Sequence, residues 1–243
     1  MEEQVNRLVE NTWAKFQNTP PAERLLIAIS GIPGSGKTTL AITVAARLNA
    51  LHASQTSTSG PAVFLPMDGY HFSRKELDAM PDPKLAHDRR GAAFTFDGEA
   101  FLKLVQQIRL PLINSDPSSP PVPVLYAPSF DHALKDPIYN DIPIPPTARI
   151  ILFEGNYLSL NKSPWSDIAQ LMDELWFVNV SFETAGARLV PRHVKAGIAA
   201  NEELAWKRVH ENDLVNGQEI MDSRLDVDDV LESREDESWK PVE

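Results

Sequence analysis

Cysteine is absent from this chain of 243 residues, and no apolar run approaches the roughly 20 residues that a membrane-spanning helix needs. Without cysteine there can be no disulfide, no thiolate nucleophile and no cysteine-ligated zinc. The N-terminus also lacks the basic and apolar pattern of a secretory signal peptide. We therefore expect a soluble, cytoplasmic protein that does not bind membranes.

Positive charge is also scarce, because 23 Lys and Arg residues stand against 34 Asp and Glu, for a formal net charge of −11. Nucleic acids and anionic membranes are bound through basic surfaces, so this balance argues against both as partners. It does not argue against a small anionic ligand, since the field of a binding site is local. Residues 228–243 are dense in acids, and we interpret them as a solvated tail. Nothing in the sequence indicates an oligomeric state.

Glycine is sparse at 11 residues, yet three glycines fall within the eight residues 31–38, GIPGSGKT. This stretch matches the pattern G-x-x-x-x-G-K-[ST] at every fixed position. The apolar run 25–29 before it predicts a buried strand, and apolar residues spaced three and four apart after it predict a helix. Strand, glycine-rich loop and helix are the context that a phosphate-binding loop requires.

The residue types of this loop suit a nucleoside triphosphate. Glycine lets the backbone approach a ligand closely, so that successive N–H groups form a nest for phosphate at the start of the helix. Lys37 is a point charge for the β- and γ-phosphates, the Thr38 hydroxyl is a ligand for Mg²⁺, and Thr39 is a further phosphate ligand. We predict that these loop residues bind the nucleotide: Gly31, Gly34, Ser35, Gly36, Lys37, Thr38 and Thr39.

Two acidic residues follow predicted strands. Residues 63–67 predict a strand that ends at Asp68, and residues 150–153 predict a buried strand that ends at Glu154. Ligands of open α/β sheets bind outside the carboxyl ends of the strands. Asp68 could take a proton from an attacking hydroxyl or help to hold the metal, although an Asp-Gly turn is the alternative. Glu154 fits the second acidic motif of phosphate-loop proteins, whose carboxylate holds Mg²⁺ directly or through water.

Several arginines stand out in an acidic chain. Arg89 and Arg90 precede Gly91 and could meet an anionic substrate or phosphate, or simply be exposed to solvent. Arg188 and Arg192 are four residues apart, so a helix would place both on one face. Pro191 lies between them and is expected to kink or end that helix. An exposed basic helix is the alternative.

The remaining pattern predicts packing elements and loops. An apolar stripe over 3–16 predicts a helix that packs on the sheet, with a partner-binding helix as the alternative. Asp97 and Asn201 are predicted N-caps of two further helices. We expect loops at 51–61, 114–123 and 128–146 and strands at 124–126, 175–180 and 225–230.

Six segments together resemble one family: GIPGSGKTT, MDGYH, RRGAAFTFD, FEGNYL, ARLVPRH and ENDLVN. They are similar to the phosphoribulokinase, uridine kinase and pantothenate kinase superfamily of P-loop small-molecule kinases, and most closely to its uridine-kinase-like branch of fungal ATP-dependent kinases. The resemblance covers the chain from Leu25 to about Leu225. It implies a single α/β domain over 1–243, with the three-layer α/β/α P-loop fold, a mostly parallel sheet and a small helical lid.

The resemblance also implies ATP and Mg²⁺ as cofactors and a role for each motif. Asp68 would be the catalytic base and Glu154 would assist the metal, while Arg188 and Arg192 would belong to a lid at about 183–200. Residues that border the acceptor in related enzymes would be Tyr70, Arg89 or Arg90, and His132. The ENDLVN residues Asn212, Asp213 and Asn216 would line the acceptor or nucleotide pocket.

The implied reaction transfers the γ-phosphoryl of ATP to a hydroxyl of a small metabolite. Uridine or another nucleoside, nicotinamide riboside, pantothenate and a sugar are all compatible acceptors, and 130–146 lacks the fuller uridine-kinase signature. One alternative is a nucleotide-dependent regulatory ATPase or switch, although no guanine-specifying N-K-x-D signature is present. The other is a non-catalytic relative, against which the intact Lys37, Thr38, Asp68 and Glu154 argue.

Overall fold

The computed structural model describes residues 1–56, 60–112, 121–131 and 133–234. His132, most of the predicted loop 114–123 and the end of the predicted acidic tail lie outside the described residues. Within them, no helix is both long and apolar enough to span a bilayer.

Five parallel strands form the central sheet, in the order β2-β5-β1-β6-β7. The middle strand β1 (Leu25–Gly31) pairs with β5 (Ile150–Glu154) on one side and with β6 (Glu174–Asn179) on the other. The edge strands are β2 (Ala62–Pro66) and β7 (Asp229–Glu232). Every residue of β1 and β5 is buried, as expected for a parallel sheet that is covered on both faces.

Helices cover the two faces of the sheet. Successive residues of β1 alternate between two apolar cores: Leu26 packs with Phe153 on one face, and Ile27 packs with Leu152 on the other. The result is the predicted α/β/α arrangement. The helices are α1 (Glu2–Asn18), α2 (Lys37–Gln55), α3 (Arg74–Asp78), α4 (Pro83–Asp88), α5 (Gly98–Ile108), α6 (Trp165–Ala169), α7 (Phe182–Lys195), α8 (Glu202–Arg208) and α9 (Leu214–Ser223).

Helix α1 extends beyond the predicted 3–16 at both ends, and its apolar stripe is buried in the chain through Val5, Leu8 and Val9. The two predicted N-caps are confirmed. Asp97 accepts a hydrogen bond from the Ala100 N–H, and Asn201 accepts one from the Leu204 N–H.

The prediction of a loop over 128–146 was wrong. Strands β3 (Leu125–Asp131) and β4 (Asp136–Ile144) form an antiparallel hairpin there. The prolines misled the prediction, since Pro137 and Pro143 lie in a ribbon of only two strands. In such a ribbon, one edge of each strand forms no backbone hydrogen bonds with a further strand, so the N–H that proline lacks is not needed there.

Three other predicted boundaries need correction. Helix α2 runs to Gln55, so the loop does not begin at residue 51. Alanine and leucine, both strong helix formers, continue the helix through that stretch. The last strand is 229–232 rather than 225–230, and it pairs with β6, so this part of the predicted tail belongs to the sheet.

Candidate functional site

The loop between β1 and α2 depends on glycine for close contacts. A Cβ atom on Gly31 would lie 2.6 Å from the carbonyl oxygen of Val178, and one on Gly34 would lie 2.7 Å from that of Ala185. Gly34 also has a φ of +81°, in the left-handed region that favours glycine. Both contacts place the loop against neighbouring elements, the end of β6 and the first turn of α7.

Lys37 and Glu154 form a buried pair beside this loop. The Lys37 Nζ lies 3.9 Å from Glu154 Oε1 and donates a 3.2 Å hydrogen bond to the carbonyl of Ile32. Burial lowers the pKa of Lys37 and raises the pKa of Glu154 to about 7, against the opposing effect of the Lys37 charge. Two ionisable groups are thus held away from water without full compensation, which favours a charged ligand beside them.

The predicted acids converge on this pair. Asp68 lies in a 3₁₀ turn, Met67–Tyr70, at the carboxyl end of β2, and its charge raises the pKa of both Lys37 and Glu154. A hydrogen bond from the Thr38 side chain lowers the pKa of Glu154. The end of β2, the end of β5 and the start of α2 therefore present two carboxylates, a hydroxyl and an ammonium group to one site.

These residues fit a magnesium-bound triphosphate. The Ser35 hydroxyl is buried, and its oxygen has no hydrogen-bond partner among the described residues, so it is available to a phosphate oxygen. The described part of the chain contains no group of three or more His, Asp or Glu side chains that would form a complete metal cage. Mg²⁺ commonly takes one or two protein ligands and completes its shell with water and substrate phosphates, which suits Thr38 and Glu154.

The helix that carries Arg188 and Arg192 does not end at Pro191, as the sequence predicted it might, but continues to Lys195. Proline removes one hydrogen bond, to the carbonyl of Ala187. Both Ala187 and Pro191 are exposed, so water can satisfy that carbonyl while the opposite face of the helix is packed.

The two arginines that were predicted to belong to a lid lie in different surroundings. Arg188 donates from Nη1 to the Gly34 carbonyl at 3.3 Å and to the Ser233 hydroxyl at 2.9 Å, so it braces the phosphate loop. Arg192 is exposed, yet its charge lowers the pKa of Lys37 and of Glu154. It therefore acts on the site without being fixed to the loop.

Arg89 and Arg90 are both half-buried rather than simply exposed to solvent. Arg89 donates to the side-chain oxygens of Asn212 at 2.9 Å and Asn216 at 2.7 Å. Arg90 donates to two backbone carbonyls and lies 3.4 Å from Asp136. The structure therefore brings Arg89 together with two of the ENDLVN residues that were predicted to line the acceptor or nucleotide pocket.

The other predicted acceptor residues lie at different depths. Tyr70 is buried with its ring 4.7 Å from that of Phe101, and burial raises the pKa of its hydroxyl. Asp213 accepts a 2.8 Å hydrogen bond or ion pair from Nε2 of the buried His193.

Two residues of this region were not identified from the sequence. Tyr157 donates from its hydroxyl to the Gly91 carbonyl at 2.7 Å, and Arg208 donates from Nη2 to the Arg90 carbonyl at 3.1 Å. Tyr157 follows Glu154 by three residues, so its place after a functional strand was a signal. Arg208 lies among other charged residues of α8 and had no comparable signal.

No protein-family model matches the chain. Several proteins are nevertheless similar to it in sequence. The "ATP-dependent kinase-like protein notR'" of Aspergillus versicolor is 50% identical over 165 residues, which are 68% of this chain and 92% of that protein. The "Putative uridine kinase C227.14" of Schizosaccharomyces pombe is 41% identical over 210 residues, 86% of this chain and 83% of that protein.

The chain belongs to the uridine-kinase-like P-loop kinases. Its fold agrees with the crystal structure of YFH7 from Saccharomyces cerevisiae, described as "a putative P-loop containing kinase with a circular permutation". The two match with a TM-score of 0.83 over 96% of this chain and 99% of the other, at 22% identity. The predicted α/β P-loop fold is therefore confirmed. The site described above lies at the carboxyl ends of the strands, where open α/β sheets bind ligands.

Proposed function

We propose that this protein is an ATP-dependent kinase that transfers the γ-phosphoryl group of ATP to a hydroxyl of a small metabolite. The observation that carries the proposal is the convergence of Lys37, Glu154 and Asp68 beside the glycine loop. Its relatives are named as kinases, which supports the same reaction class.

Phosphoryl transfer needs mostly positioning and charge neutralisation, because the transition state is loose and its charge is spread over the phosphoryl oxygens. The loop amides, the Ser35 hydroxyl and the Lys37 ammonium hold the triphosphate. Thr38 and Glu154 would hold Mg²⁺, which would supply positive charge to neutralise the triphosphate.

Asp68 is the proposed general base. In the reaction, the acceptor oxygen forms a bond to the γ-phosphorus, the bond from that phosphorus to the β-bridging oxygen breaks, and ADP leaves. The hydroxyl proton passes to the Asp68 carboxylate. A carboxylate is too weak a base to ionise an alcohol beforehand, so Asp68 first orients the hydroxyl and takes its proton late.

The lid arginines have separate proposed tasks. Arg188, bonded to the Gly34 carbonyl, holds the phosphate loop in its binding conformation. Arg192, exposed and close enough to affect Lys37 and Glu154, neutralises charge on the transferring group and helps to exclude water.

The acceptor is proposed as a class rather than as one compound. The name of the Schizosaccharomyces pombe relative points to a nucleoside such as uridine. Nicotinamide riboside, pantothenate and sugars are also hydroxyl compounds of suitable size. The competing proposal, a regulatory ATPase or switch, has no acceptor and would hydrolyse ATP or bind a partner only with nucleotide.

An ADP-release screen over a panel of hydroxyl-bearing metabolites tests the proposal. We expect one or a few compounds to stimulate ADP release from ATP. Asp68→Asn should bind ATP as the wild type does but lose about 100-fold or more in rate, because a positioned base contributes that much. Asp226→Asn, the same change at an exposed residue, serves as the control.

ADP release that does not depend on any acceptor would contradict the kinase proposal and favour the regulatory ATPase. Transfer that survives Asp68→Asn within a few-fold would show that another group is the base.

A further inference from the structure

Two adjacent arginines, Arg89 and Arg90, have different electrostatic surroundings. The Arg90 guanidinium lies 3.4 Å from the carboxylate of Asp136 and 5.5 Å from the centre of the Phe130 ring, and it donates to two backbone carbonyls. Its charge is therefore compensated within the chain. Arg89 forms no ion pair with any carboxylate of the described residues, and both of its hydrogen-bond acceptors are neutral amides.

Those amides fix the Arg89 side chain without neutralising it. Asn212 and Asn216 are 3% and 1% exposed, so they are rigid supports. They occupy Nε and Nη2 of Arg89, while Nη1 makes no hydrogen bond to the described part of the chain. A guanidinium oriented by neutral acceptors keeps its full charge and an unused donor edge, which is the arrangement that recognises an oxyanion.

A second arginine approaches the same turn. Arg208 donates from Nη2 to the carbonyl of Arg90, which also accepts a hydrogen bond from Asn212. Arg208 likewise forms no ion pair within the described residues. In a chain with a net charge of −11, two half-buried arginines without a carboxylate partner thus meet at one turn.

Other acids of the described residues near this turn form no ion pair with Arg89 or Arg208: Asp136 pairs with Arg90, and Asp88 pairs with Lys84. The charges of Asp213 and Glu219 raise the pKa of Tyr157, and the charge of Arg89 lowers it, so both acids lie in the same region as Arg89. Asp213 is already paired with His193 at 2.8 Å, and Glu219 does not lie within ion-pairing distance of either arginine.

The cluster lies next to the phosphate loop. Asn216, which holds Arg89, is followed by Gly217, and a Cβ atom on Gly217 would lie 3.4 Å from Cβ of Ile32. On its other side, the carbonyl of Gly91 accepts the hydroxyl of Tyr157, three residues beyond Glu154. These two contacts connect the segments that carry Arg89 and its amide support to the residues that follow β1 and β5.

We propose that Arg89, assisted by Arg208, binds a carboxylate or phosphate of the acceptor, so that the substrate is a hydroxy compound that already carries negative charge. This inference rests on the proposed kinase function and narrows its acceptor class. A neutral nucleoside or free sugar would leave the Arg89 charge half-buried and without a partner, at a cost in binding free energy.

Matched pairs of acceptors test the inference: pantothenate with pantothenol, ribose 5-phosphate with ribose, and glycerate with glycerol. We expect the anionic member of one pair to be phosphorylated and its neutral partner to be used poorly. The pair that shows this difference will tell whether the site binds a carboxylate or a phosphate. Arg89→Gln should raise KM for the anionic acceptor by about 10- to 100-fold, the value of a hydrogen bond to a charged group, with the KM for ATP unchanged.

Two further variants make the kinetic test specific. Arg89→Lys keeps the charge but not the forked donors, and it should recover part of the loss. Arg47→Gln removes an arginine that pairs with Glu2 on another surface of the molecule and should behave as the wild type. Equal use of both members of every pair, or an unchanged KM in Arg89→Gln, would overturn the inference.

A binding measurement keeps the test independent of catalysis. With ADP saturating the phosphate loop, inorganic phosphate should raise the unfolding temperature of the wild type and of Arg47→Gln at about 10-fold lower concentration than that of Arg89→Gln. Equal phosphate dependence in the three proteins would contradict an anion site at Arg89. If no acceptor of either charge is phosphorylated, the kinase proposal fails, while this titration still decides the anion site.

Discussion

At the scale of single residues, the site is defined by charges that the chain buries without fully compensating them. Lys37 and Glu154 are 6% and 7% exposed, and their nearest charged atoms are 3.9 Å apart rather than in close contact. Burial shifts the pKa of each towards its neutral form. Replacing a buried pair of this kind with apolar residues often leaves stability unchanged or improves it, so such a pair is explained better by a ligand than by folding.

Lys37→Ala should abolish phosphoryl transfer, with a loss of about 10²- to 10³-fold or more, because one fixed donor to the developing charge is removed. The fold should survive. Without Lys37 the pKa of the Glu154 carboxyl rises further, and a protonated carboxyl is tolerated in the interior. Steady-state ADP release together with circular dichroism checks both statements. Lys84→Ala, at a highly exposed residue, is the control.

Wild-type turnover in Lys37→Ala would remove the phosphate loop from the mechanism. Loss of the folded state would instead show that the buried pair is structural.

The residues that could be predicted from the sequence were those whose role depends on local pattern. The glycine loop, Lys37 and Thr38 follow from spacing, and Asp68 and Glu154 follow from being next to apolar runs. The difference between Arg89 and Arg90 could not be predicted, because it depends on which side chains a distant helix and hairpin bring to each. Arg208 was missed for the same reason, since its contact with the Arg90 carbonyl is purely tertiary.

At the scale of elements, α7 is the helix whose two halves serve the site differently. Its first half is packed against the phosphate loop, where Gly34 meets Ala185, and Arg188 bonds to the loop. Arg192 lies beyond this contact, on an exposed turn next to Pro191. The proline marks a place where the helix lacks one hydrogen bond, and it did not stop the helix because the packed face supplies the stability.

Arg192→Ala should reduce the rate of phosphoryl transfer by about 10³-fold or more while changing the dissociation constant for ATP by much less. The reason is that an arginine brought to the transferring group acts mainly in the transition state. Single-turnover kinetics and equilibrium nucleotide binding separate the two effects. Lys195→Ala, on the same helix, controls for loss of a nearby positive charge. Equal losses in rate and in affinity would recast Arg192 as a ground-state binding residue.

The hairpin of β3 and β4 shows where element prediction failed. Proline is a reliable signal against a central strand but not against a two-stranded ribbon. The hairpin matters to the site because a Cβ atom on Gly69 would lie 2.1 Å from the Pro128 carbonyl, so the hairpin packs directly on the turn that carries Asp68. The carbonyl of its residue Lys135 also accepts from Arg90.

At the scale of the whole molecule, the parallel sheet explains why residues so far apart in sequence meet. Residues 37 and 68 follow β1 and β2, and residue 154 ends β5. The three strands are neighbours in the order β2-β5-β1 and have their carboxyl ends at one edge. The net charge is −11, yet Arg188 contacts the phosphate loop and the charge of Arg192 acts on Lys37 and Glu154. Local positive charge in an acidic protein is consistent with small anionic ligands.

The most direct test of the central claim is a crystal structure with Mg²⁺ and a non-hydrolysable ATP analogue. We predict that the β- and γ-phosphates lie in the loop that begins at Gly31, within hydrogen-bond distance of Lys37 Nζ, that the metal contacts Thr38 and lies beside Glu154, and that Asp68 faces the γ-phosphate. An analogue bound elsewhere, or a γ-phosphate that neither Lys37 nor Asp68 approaches, would contradict the account.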